Sequence, residues 1–479
     1  MPHFLVRPIL GAAAVAALGL LSACASVPAV APDLPAPAAT RWQAPLPHGG
    51  RISELSDWWS QFNDPTLPAL IAAAQAASPT GAAARARIER ARAARTAAGA
   101  ALLPQFDAVG QLSSGRALPA QAVATSASLG VQAAWELDLA GAAAAGRDAA
   151  QARLEGAQAG WYDARVSVAA EVATAYIALR GCEAQILQSR LDAESRAETT
   201  RLTELTARAG FTAPADAALA RAGAAQSRGL VLSQQALCTT MLKSLVEITA
   251  IDEPELRQRL VERSALQPQP AAIVVSTLPA SLLSQRADLA ASARDIVAAA
   301  SDQAQAQARE RPQVSLAGSL AGSLAGVSLR SGGVSSSGAT WSLGPLVVSF
   351  PIFDGGARAA ARGAAKASYD EALARYRAQL RQAVREVETS LVVLDSTAAR
   401  QLDAGAAARD FEASLRATQA RHKGGLASLF ELEAARRNAV QAHSALIELQ
   451  RERAAGWVAL YRALGGGWTP ADLAATAPP

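Results

Sequence analysis

Two stretches of the chain have the residue pattern of long, uninterrupted helices. Residues 141–209 and 357–423 contain no proline, and apolar residues within them recur every three or four positions. In the second stretch this series runs from Tyr369 to Ala398 with a mean spacing of about 3.6 residues, the period of a straight helix rather than of a tight coiled coil. At 1.5 Å per residue, each helix would be about 100 Å long. The pattern predicts two long, nearly straight helices that pack beside similar neighbours.

A segment with strand-like alternation precedes each predicted long helix. The segments span residues 104–138 and 312–352, and uncharged runs within them reach from 126 to 135 and from 314 to 329. A strand that crosses the hydrocarbon of a membrane needs about 9–11 residues, so we count about four strands in the chain. Four strands cannot close a barrel, and lipid does not tolerate an open sheet edge. We therefore expect a barrel shared with copies of this chain; the alternative is a soluble hairpin cap.

The spacing of glycines indicates a duplicated unit. Gly141 and Gly356 open the predicted long helices, and Gly210 and Gly425 end them. Both pairs are 215 residues apart (356 − 141 and 425 − 210). The agreement favours a repeat of strands, long helix, tight tip and returning helix over coincidence.

This repeat predicts how the chain divides into domains. The expected divisions are a first repeat over residues 51–250, a connector over 251–285, a second repeat over 286–468 and a disordered tail over 469–479.

The amino terminus has the features of a lipoprotein signal. An apolar run between Ile9 and Leu21 is too short to span a bilayer, and it ends at Leu21-Ser22-Ala23-Cys24. We predict that residues 1–23 are a signal peptide, that Cys24 is acylated and that residues 24–50 form an extended tether. Because Ser26 is not aspartate, sorting to the outer membrane is favoured. An ordinary cut after Ala23 beside an incidental cysteine is the alternative.

Composition excludes several classes of function. Of 479 residues, 51% are hydrophobic and 18% are charged, and the formal net charge is +4. That excess is too small and too dispersed to predict a nucleic-acid partner. Four histidines, three cysteines and two methionines leave little material for a metal site. We find no P-loop, no Gly-x-Ser-x-Gly and no His-Glu-x-x-His, so we expect no metal, no cofactor and no enzymatic activity.

Several short segments, taken in order, resemble one protein family. They are Asp57–Pro65, Leu103–Gln105, Trp135–Gly141, Leu283–Asp288, Pro351–Gly356, Glu386–Glu388 and Ala463–Trp468. In the fourth of these, Ala287 replaces the proline of the family's Arg-Pro-Asp sequence. Together they resemble the TolC-like outer-membrane efflux proteins, specifically the lipoprotein (NodT-type) branch.

The resemblance implies both a fold and a function. The expected fold is α+β, with internal duplication: a homotrimer whose outer-membrane β-barrel, with about four strands per chain, continues as a long periplasmic α-helical barrel. The expected partners are outer-membrane lipid, a periplasmic adaptor protein and an inner-membrane transporter of the RND type. The function would be that of a passive exit duct. A duct of a type I protein secretion system and a pore-less periplasmic scaffold are the alternatives.

Two helix tips and the residues after them are the candidate interface. The tip residues are Gly210, Phe211, Pro214, Gly424, Gly425, Leu426 and Ser428. As turns they need no other explanation, but the resemblance implies that such tips meet the adaptor. Glu431 and Glu433 follow the second tip, where related tunnels carry acidic rings. Threefold symmetry would bring copies together and raise their pKa, which makes them gate candidates; a solvated helix face is the alternative.

Two cysteines are placed symmetrically about the first tip. Cys182 and Cys238 both lie 28 residues from Gly210, and residues equally distant from the turn of an antiparallel hairpin face one another. Because the periplasm is oxidising, we predict a disulfide if the geometry permits one. Two buried free thiols are the alternative.

Overall fold

The structure is a computed structural model that describes residues 55–117, 122–270, 285–325 and 336–466. The predicted signal peptide, Cys24, the tether and the tail lie outside these residues. None of the helices in the described ranges is long and apolar enough to cross a membrane.

Helices dominate the described chain, and four strands interrupt them. A 3-10 helix, Leu55–Phe62, precedes α1 (Thr66–Ala77), α2 (Pro79–Ala100), β1 (Gln105–Ala117), β2 (Ala122–Leu137), α3 (Ala142–Arg208), α4 (Pro214–Thr249) and α5 (Glu253–Leu260). A short 3-10 helix, Val261–Arg263, follows, and then α6 (Ala287–Ala308), β3 (Gln313–Ala325), β4 (Ser336–Ser349), α7 (Ala357–Lys423) and α8 (Leu429–Ala463).

The two long helices are matched in length and position. Each of α3 and α7 contains 67 residues, and both of their ends differ by 215 positions. α2 and α6 also match, at 22 residues each. The glycines before α3 and α7, Gly141 and Gly356, have positive φ angles of 80° and 91°, which glycine adopts without steric cost. The duplication expected from the sequence is therefore present in the secondary structure.

The four strands form one antiparallel sheet in the order β1-β2-β3-β4. Because side chains alternate along a strand, the register places two sets of residues on opposite faces. One face carries Phe106, Ala108, Leu112, Leu129, Val131, Trp135, Leu316, Leu320 and Trp341. The other carries Gln111, Ser113, Ser126, Ser128, Gln132, Ser319, Ser323 and Ser342.

The two faces of this sheet differ in chemistry. On the apolar face, Leu112, Leu129 and Trp341 are all more than 70% exposed, which suits a surface that meets hydrocarbon. On the polar face, serine hydroxyls bond across neighbouring strands, Ser113 with Ser126 at 2.7 Å and Ser319 with Ser342 at 2.8 Å. A sheet with one apolar and one hydroxyl-rich face matches a barrel wall between lipid and water.

The chain forms two compact units. One comprises, among the described residues, 87–117, 122–157, 291–325 and 336–377, and it contains the sheet. The other comprises, among the described residues, 55–86, 158–270, 285–290 and 378–466.

The aromatic segment near the start of the described chain belongs to the core of the second unit. Trp58 is 1% exposed, and its ring lies 6.2 Å from that of Trp457 and 5.7 Å from that of Tyr461. The buried carboxylate of Asp64 accepts a hydrogen bond from the Tyr176 hydroxyl at 2.6 Å. These residues are therefore structural, and they join the chain start to α3 and α8.

Candidate functional site

The first helical tip ends in a defined hydrogen-bonded turn. The amide of Phe211 donates to the carbonyl of Thr206, and the amide of Gly210 donates to the carbonyl of Ala207. These two bonds define a Schellman helix end, in which the residue before the last amide is left-handed. Gly210 has a φ of 78°, so glycine is required by the backbone at that position.

The second tip repeats the first bond for bond. The amide of Leu426 donates to the Arg421 carbonyl, and the amide of Gly425 donates to the His422 carbonyl. Each of these residues lies 215 positions after its counterpart. Gly425 has a φ of 74°. Gly424 has no positive φ, and an added Cβ there would only meet carbonyl oxygens at 3.5 and 3.6 Å. The backbone therefore requires glycine at 425 but not at 424.

The two returning helices begin differently. Pro214 is the first residue of α4, and the residue before it, Ala213, provides no side-chain cap. Ser428 caps α8: its hydroxyl accepts from the Glu431 amide at 3.1 Å, and the Glu431 carboxylate accepts from the Ser428 amide at 2.7 Å. This reciprocal pair is a capping box. Glu431 therefore has a structural role at the second tip.

The carboxyl of Glu431 titrates below its usual range within the chain. Hydrogen bonds from the backbone and side chain of Ser428 lower its pKa, and the nearby Arg421 adds to this. Copies of Glu431 that face one another in an assembled trimer would instead raise its pKa, because like charges repel. The gate assignment of Glu431 stays a prediction, and it concerns the assembled protein.

Apolar side chains project from both tips. Phe211 is 86% exposed and Leu426 is 74% exposed. In a Schellman ending the residue in this position usually packs back against its own helix, but these two do not. Phe430, which the sequence analysis did not single out, is 74% exposed as well. The sequence signal that could have identified Phe430 is its position two residues after Ser428, at the start of the helix that follows the tip. The tips thus offer apolar surface to a partner.

Glu433 is paired with arginines of its own chain. Its carboxylate accepts hydrogen bonds from Arg196 on α3 and from Arg436 on α8. Arg436 is only 2% exposed, and it also donates to the hydroxyls of Ser195 and Thr199, both at 2.9 Å. This cluster joins α3 to α8. Sequence reasoning selected Glu433 and missed its arginine partners, although the Glu433–Arg436 spacing of three residues suits a helical ion pair.

One bond in this cluster is not made. Asp192 accepts a hydrogen bond from Arg196 at 2.8 Å through one carboxylate oxygen. Its other oxygen and the Nε of Arg436 lie 4.0 Å apart, and both are buried without a hydrogen-bond partner among the described residues. A small approach of α3 and α8 would pair them. The helices are thus held by a network that a small shift would strengthen.

Cys182 and Cys238 are joined by a disulfide in the structure, with Cα atoms 5.6 Å apart. Both residues are buried in the main apolar core of the second unit. The bridge connects α3 to α4 at equal distances from the first tip. Its formation in the periplasm stays a prediction that chemistry on the protein must test.

A second charged cluster surrounds Arg286, in the segment that resembles the family's Arg-Pro-Asp sequence. Arg286 donates to the carboxylates of Asp288 at 2.7 Å and Glu386 at 2.9 Å, and to the carbonyl of Ala463 at 2.9 Å. It therefore ties the start of α6 to both α7 and the end of α8. Asp163 lies in the same cluster, and burial, followed by the charge of Asp288, raises its pKa.

The described residues contain no group of three or more histidine, cysteine, aspartate and glutamate side chains that is arranged to hold a metal ion. The tips and one face of the sheet expose apolar surface. The two charged clusters form ion pairs between helices.

Comparisons with known proteins agree with the fold. A family model described as outer membrane efflux protein matches residues 70–250 and 278–466. The chain is similar to a pyoverdine export outer membrane protein, OpmQ, of Pseudomonas aeruginosa, with 30% identity over 95% of this chain and 96% of that protein. It is also similar to nodulation protein T of Rhizobium leguminosarum bv. viciae, with 27% identity over 97% and 94%.

A solved structure described as the outer-membrane channel OprN is similar to this chain, with a TM-score of 0.80 and 28% identity. The match covers 92% of this chain and 100% of the OprN chain. The protein therefore belongs to the outer membrane efflux protein family. The comparisons confirm the resemblance and the fold class expected from the sequence, the α+β channel of a trimeric outer-membrane barrel. They also confirm its function as an outer-membrane channel of tripartite efflux.

Proposed function

We propose that this chain is the outer-membrane duct of a pump powered by an inner-membrane transporter of the RND type, with a periplasmic adaptor that binds the two helical tips. The duct itself performs no reaction. The observation that carries the proposal is the pair of matched tips, which expose Phe211 and Leu426 on turns fixed by backbone hydrogen bonds. A rigid turn presents an apolar side chain at low entropic cost, which favours a specific contact.

An export assay tests the role of the tips. The host's own gene is deleted, and cells are complemented with wild type or with the pair Phe211→Asp and Leu426→Asp. Dye accumulation is then measured at equal amounts of outer-membrane trimer. We expect the paired variant to lose most export, because a buried charge opposes an apolar contact. The same change at an exposed residue away from the tips, Val261→Asp, is the control and should retain export. Full export by the tip variant would refute the tip contact.

We propose how the strand edges of three copies join to complete the barrel. The outer edges of β1 and β4 have no strand partner among the described residues, and lipid does not tolerate an unpaired edge. Pairing β1 of one copy with β4 of the next closes twelve strands in a trimer. Light scattering of the detergent-solubilised protein should give three chains per particle, and a monodisperse monomer that still conducts would contradict this assembly.

A lipid anchor at Cys24 is proposed from the sequence resemblance and from the similarity to nodulation protein T. Mass spectrometry of the amino-terminal peptide should find acyl chains on Cys24 of the purified protein, with residues 1–23 absent. The variant Cys24→Ala should lack the modification. An unmodified Cys24 in membrane-derived wild type would reject the anchor.

A further inference from the structure

We infer that Asp107 and Glu136, on the polar face of the sheet, give the barrel a preference for cations that is independent of the periplasmic tips. This inference depends on the proposed channel, and it adds a second place at which the duct discriminates among solutes. Rings of acidic side chains are a known means of cation selection in pores.

The strand register determines which face these residues occupy. Asp107 is opposite Gln132, Gln132 is opposite Ser319, and Ser319 is opposite Ser342. This row crosses all four strands on the polar face. The reverse face carries the exposed leucine and tryptophan side chains that suit lipid. In a closed barrel the Asp107 row therefore faces the water-filled interior.

Glu136 lies on the same face as Asp107, nearer to the helices. It is the second-last residue of β2, four positions beyond Gln132, and it is opposite Ser315. Asp107 is the third residue of β1. Both carboxylates are thus at the end of the sheet where the strands join the helices.

The rest of the polar face is neutral. Among the strand residues whose side chains the structure describes, Asp107 and Glu136 are the only charged residues on this face. The remaining positions are mainly serine, glutamine, glycine and alanine. A hydroxyl and amide wall discriminates little by charge, so the two carboxylates set the sign of the potential inside the barrel.

The barrel acids differ from the acids at the second tip in having no cationic partner. Both side chains are exposed, and the ion pairs found among the described residues include neither of them. By contrast, Glu433 is bonded to Arg196 and Arg436. A carboxylate that already has a guanidinium partner contributes little net field. Of the acids compared here, those without a cationic partner among the described residues are the two in the barrel.

The size of the barrel makes this field effective at moderate salt. Twelve strands about 4.8 Å apart and tilted by about 40° enclose a radius of about 12 Å. Side chains reach inward from that wall, so the carboxylates lie roughly one Debye length from the axis at 0.1 M salt, where that length is about 10 Å. At 1 M salt it falls to about 3 Å, and most of the effect should disappear.

Planar-bilayer recordings with purified trimers test the inference. Reversal potentials across a KCl gradient give the permeability ratio of potassium to chloride for wild type and for the pair Asp107→Asn and Glu136→Gln. At about 0.1 M salt we expect the pair to lower that ratio at least about twofold, and near 1 M we expect a much smaller change. Adding a carboxylate to the same row, Gln132→Glu, should raise the ratio. A neutral change on the same face, Ser128→Ala, is the matched control and should leave it unchanged.

The outcomes separate this inference from the proposed channel. If the paired barrel variant keeps the wild-type ratio while Glu431→Gln and Glu433→Gln abolish cation preference, the barrel acids are not selective and the inference is wrong. An unchanged ratio in Gln132→Glu would contradict it independently of any loss-of-charge variant. If wild-type trimers form no channels at all, the proposed duct itself fails, and the inference fails with it.

Discussion

Gly424 and Gly425 are neighbours in sequence, but only Gly425 holds a left-handed backbone conformation. We expect Gly425→Ala to destabilise the second tip by about 1 kcal/mol, because an L-residue with a side chain meets steric strain there. Gly424→Ala is the matched control and should cost much less, since its new methyl group makes only ordinary contacts. Thermal unfolding of detergent-solubilised protein measures both. Equal effects would mean that the left-handed turn is absent.

The cysteine pair in the core of the second unit gives a second prediction at the scale of residues. Non-reducing peptide mapping of periplasmically exported protein should recover one peptide pair containing Cys182 and Cys238. Replacing both by serine should reduce the free energy of unfolding by up to about 4 kcal/mol, because the bridge closes a long loop in the unfolded chain. Two free thiols in protein purified under oxidising conditions would disprove the pairing.

Asp163 predicts a dependence of stability on pH. Burial raises its pKa above the unfolded value of 3.8, so the native state binds this proton more tightly than the unfolded state does. The contribution of the protonated Asp163 to the free energy of unfolding is therefore fully present below pH 3.8. It is lost as the pH rises through the higher native pKa. Asp163→Asn should be more stable than wild type at pH 7, and this advantage should shrink towards pH 4.

Melting temperatures across that pH range measure the effect of Asp163→Asn. The variant Asp252→Asn removes an exposed carboxylate in the same way and is the control for the loss of a charge. An advantage of Asp163→Asn that is the same at pH 4 and pH 7 would show that the effect comes from packing rather than from titration.

At the scale of elements, the buried side chain of Arg436 strengthens the connection between α3 and α8. Arg436→Ala should weaken this connection by up to about 3 kcal/mol, because Glu433 would keep only Arg196 as its partner and the bonds of Arg436 to Ser195 and Thr199 would be lost. If the connection also holds the tips closed, the variant should increase the conductance of the resting channel. Arg437 is the next residue and is exposed, so Arg437→Ala removes the same charge from the surface and is the control. Equal conductance in both variants would exclude a role of the buried cluster in closure.

The elements themselves were predictable to different degrees. Proline-free periodic stretches predicted α3 and α7 within about one residue, because helix formation depends on local spacing. Uncharged alternation predicted four strands, and the described parts of the chain contain a four-stranded sheet. Sequence reasoning missed the capping box of Ser428 and Glu431, although a serine followed three residues later by a glutamate is a local signature of a helix start. It also did not reveal that Arg436 bonds to Thr199, 237 positions away, since such pairs depend on how the helices pack.

At the scale of the whole molecule, the prediction concerns the assembled gate. If three copies of Glu431 approach the axis, Glu431→Gln should change both closed-state conductance and cation preference. The same substitution also removes a capping hydrogen bond, so Ser428→Ala serves as the control for stability. That control should cost about 1 kcal/mol with the carboxylate retained. Unchanged conductance in Glu431→Gln would leave Glu431 as a helix cap alone.

The sequence by itself determined the repeated architecture, the glycines at the tips and the opposite faces of the strands. These follow from periodicity and backbone sterics, which act between neighbours in the chain. The tertiary structure decided which charges are compensated, because ion pairs such as Arg196 with Glu433 join residues far apart in sequence. The acids at the tip are capped or paired, and those in the barrel have no ion pair with any residue that the structure describes. Local spacing explains the Ser428 cap and the Glu433–Arg436 pair, but the bonds between helices depend on how the chain packs.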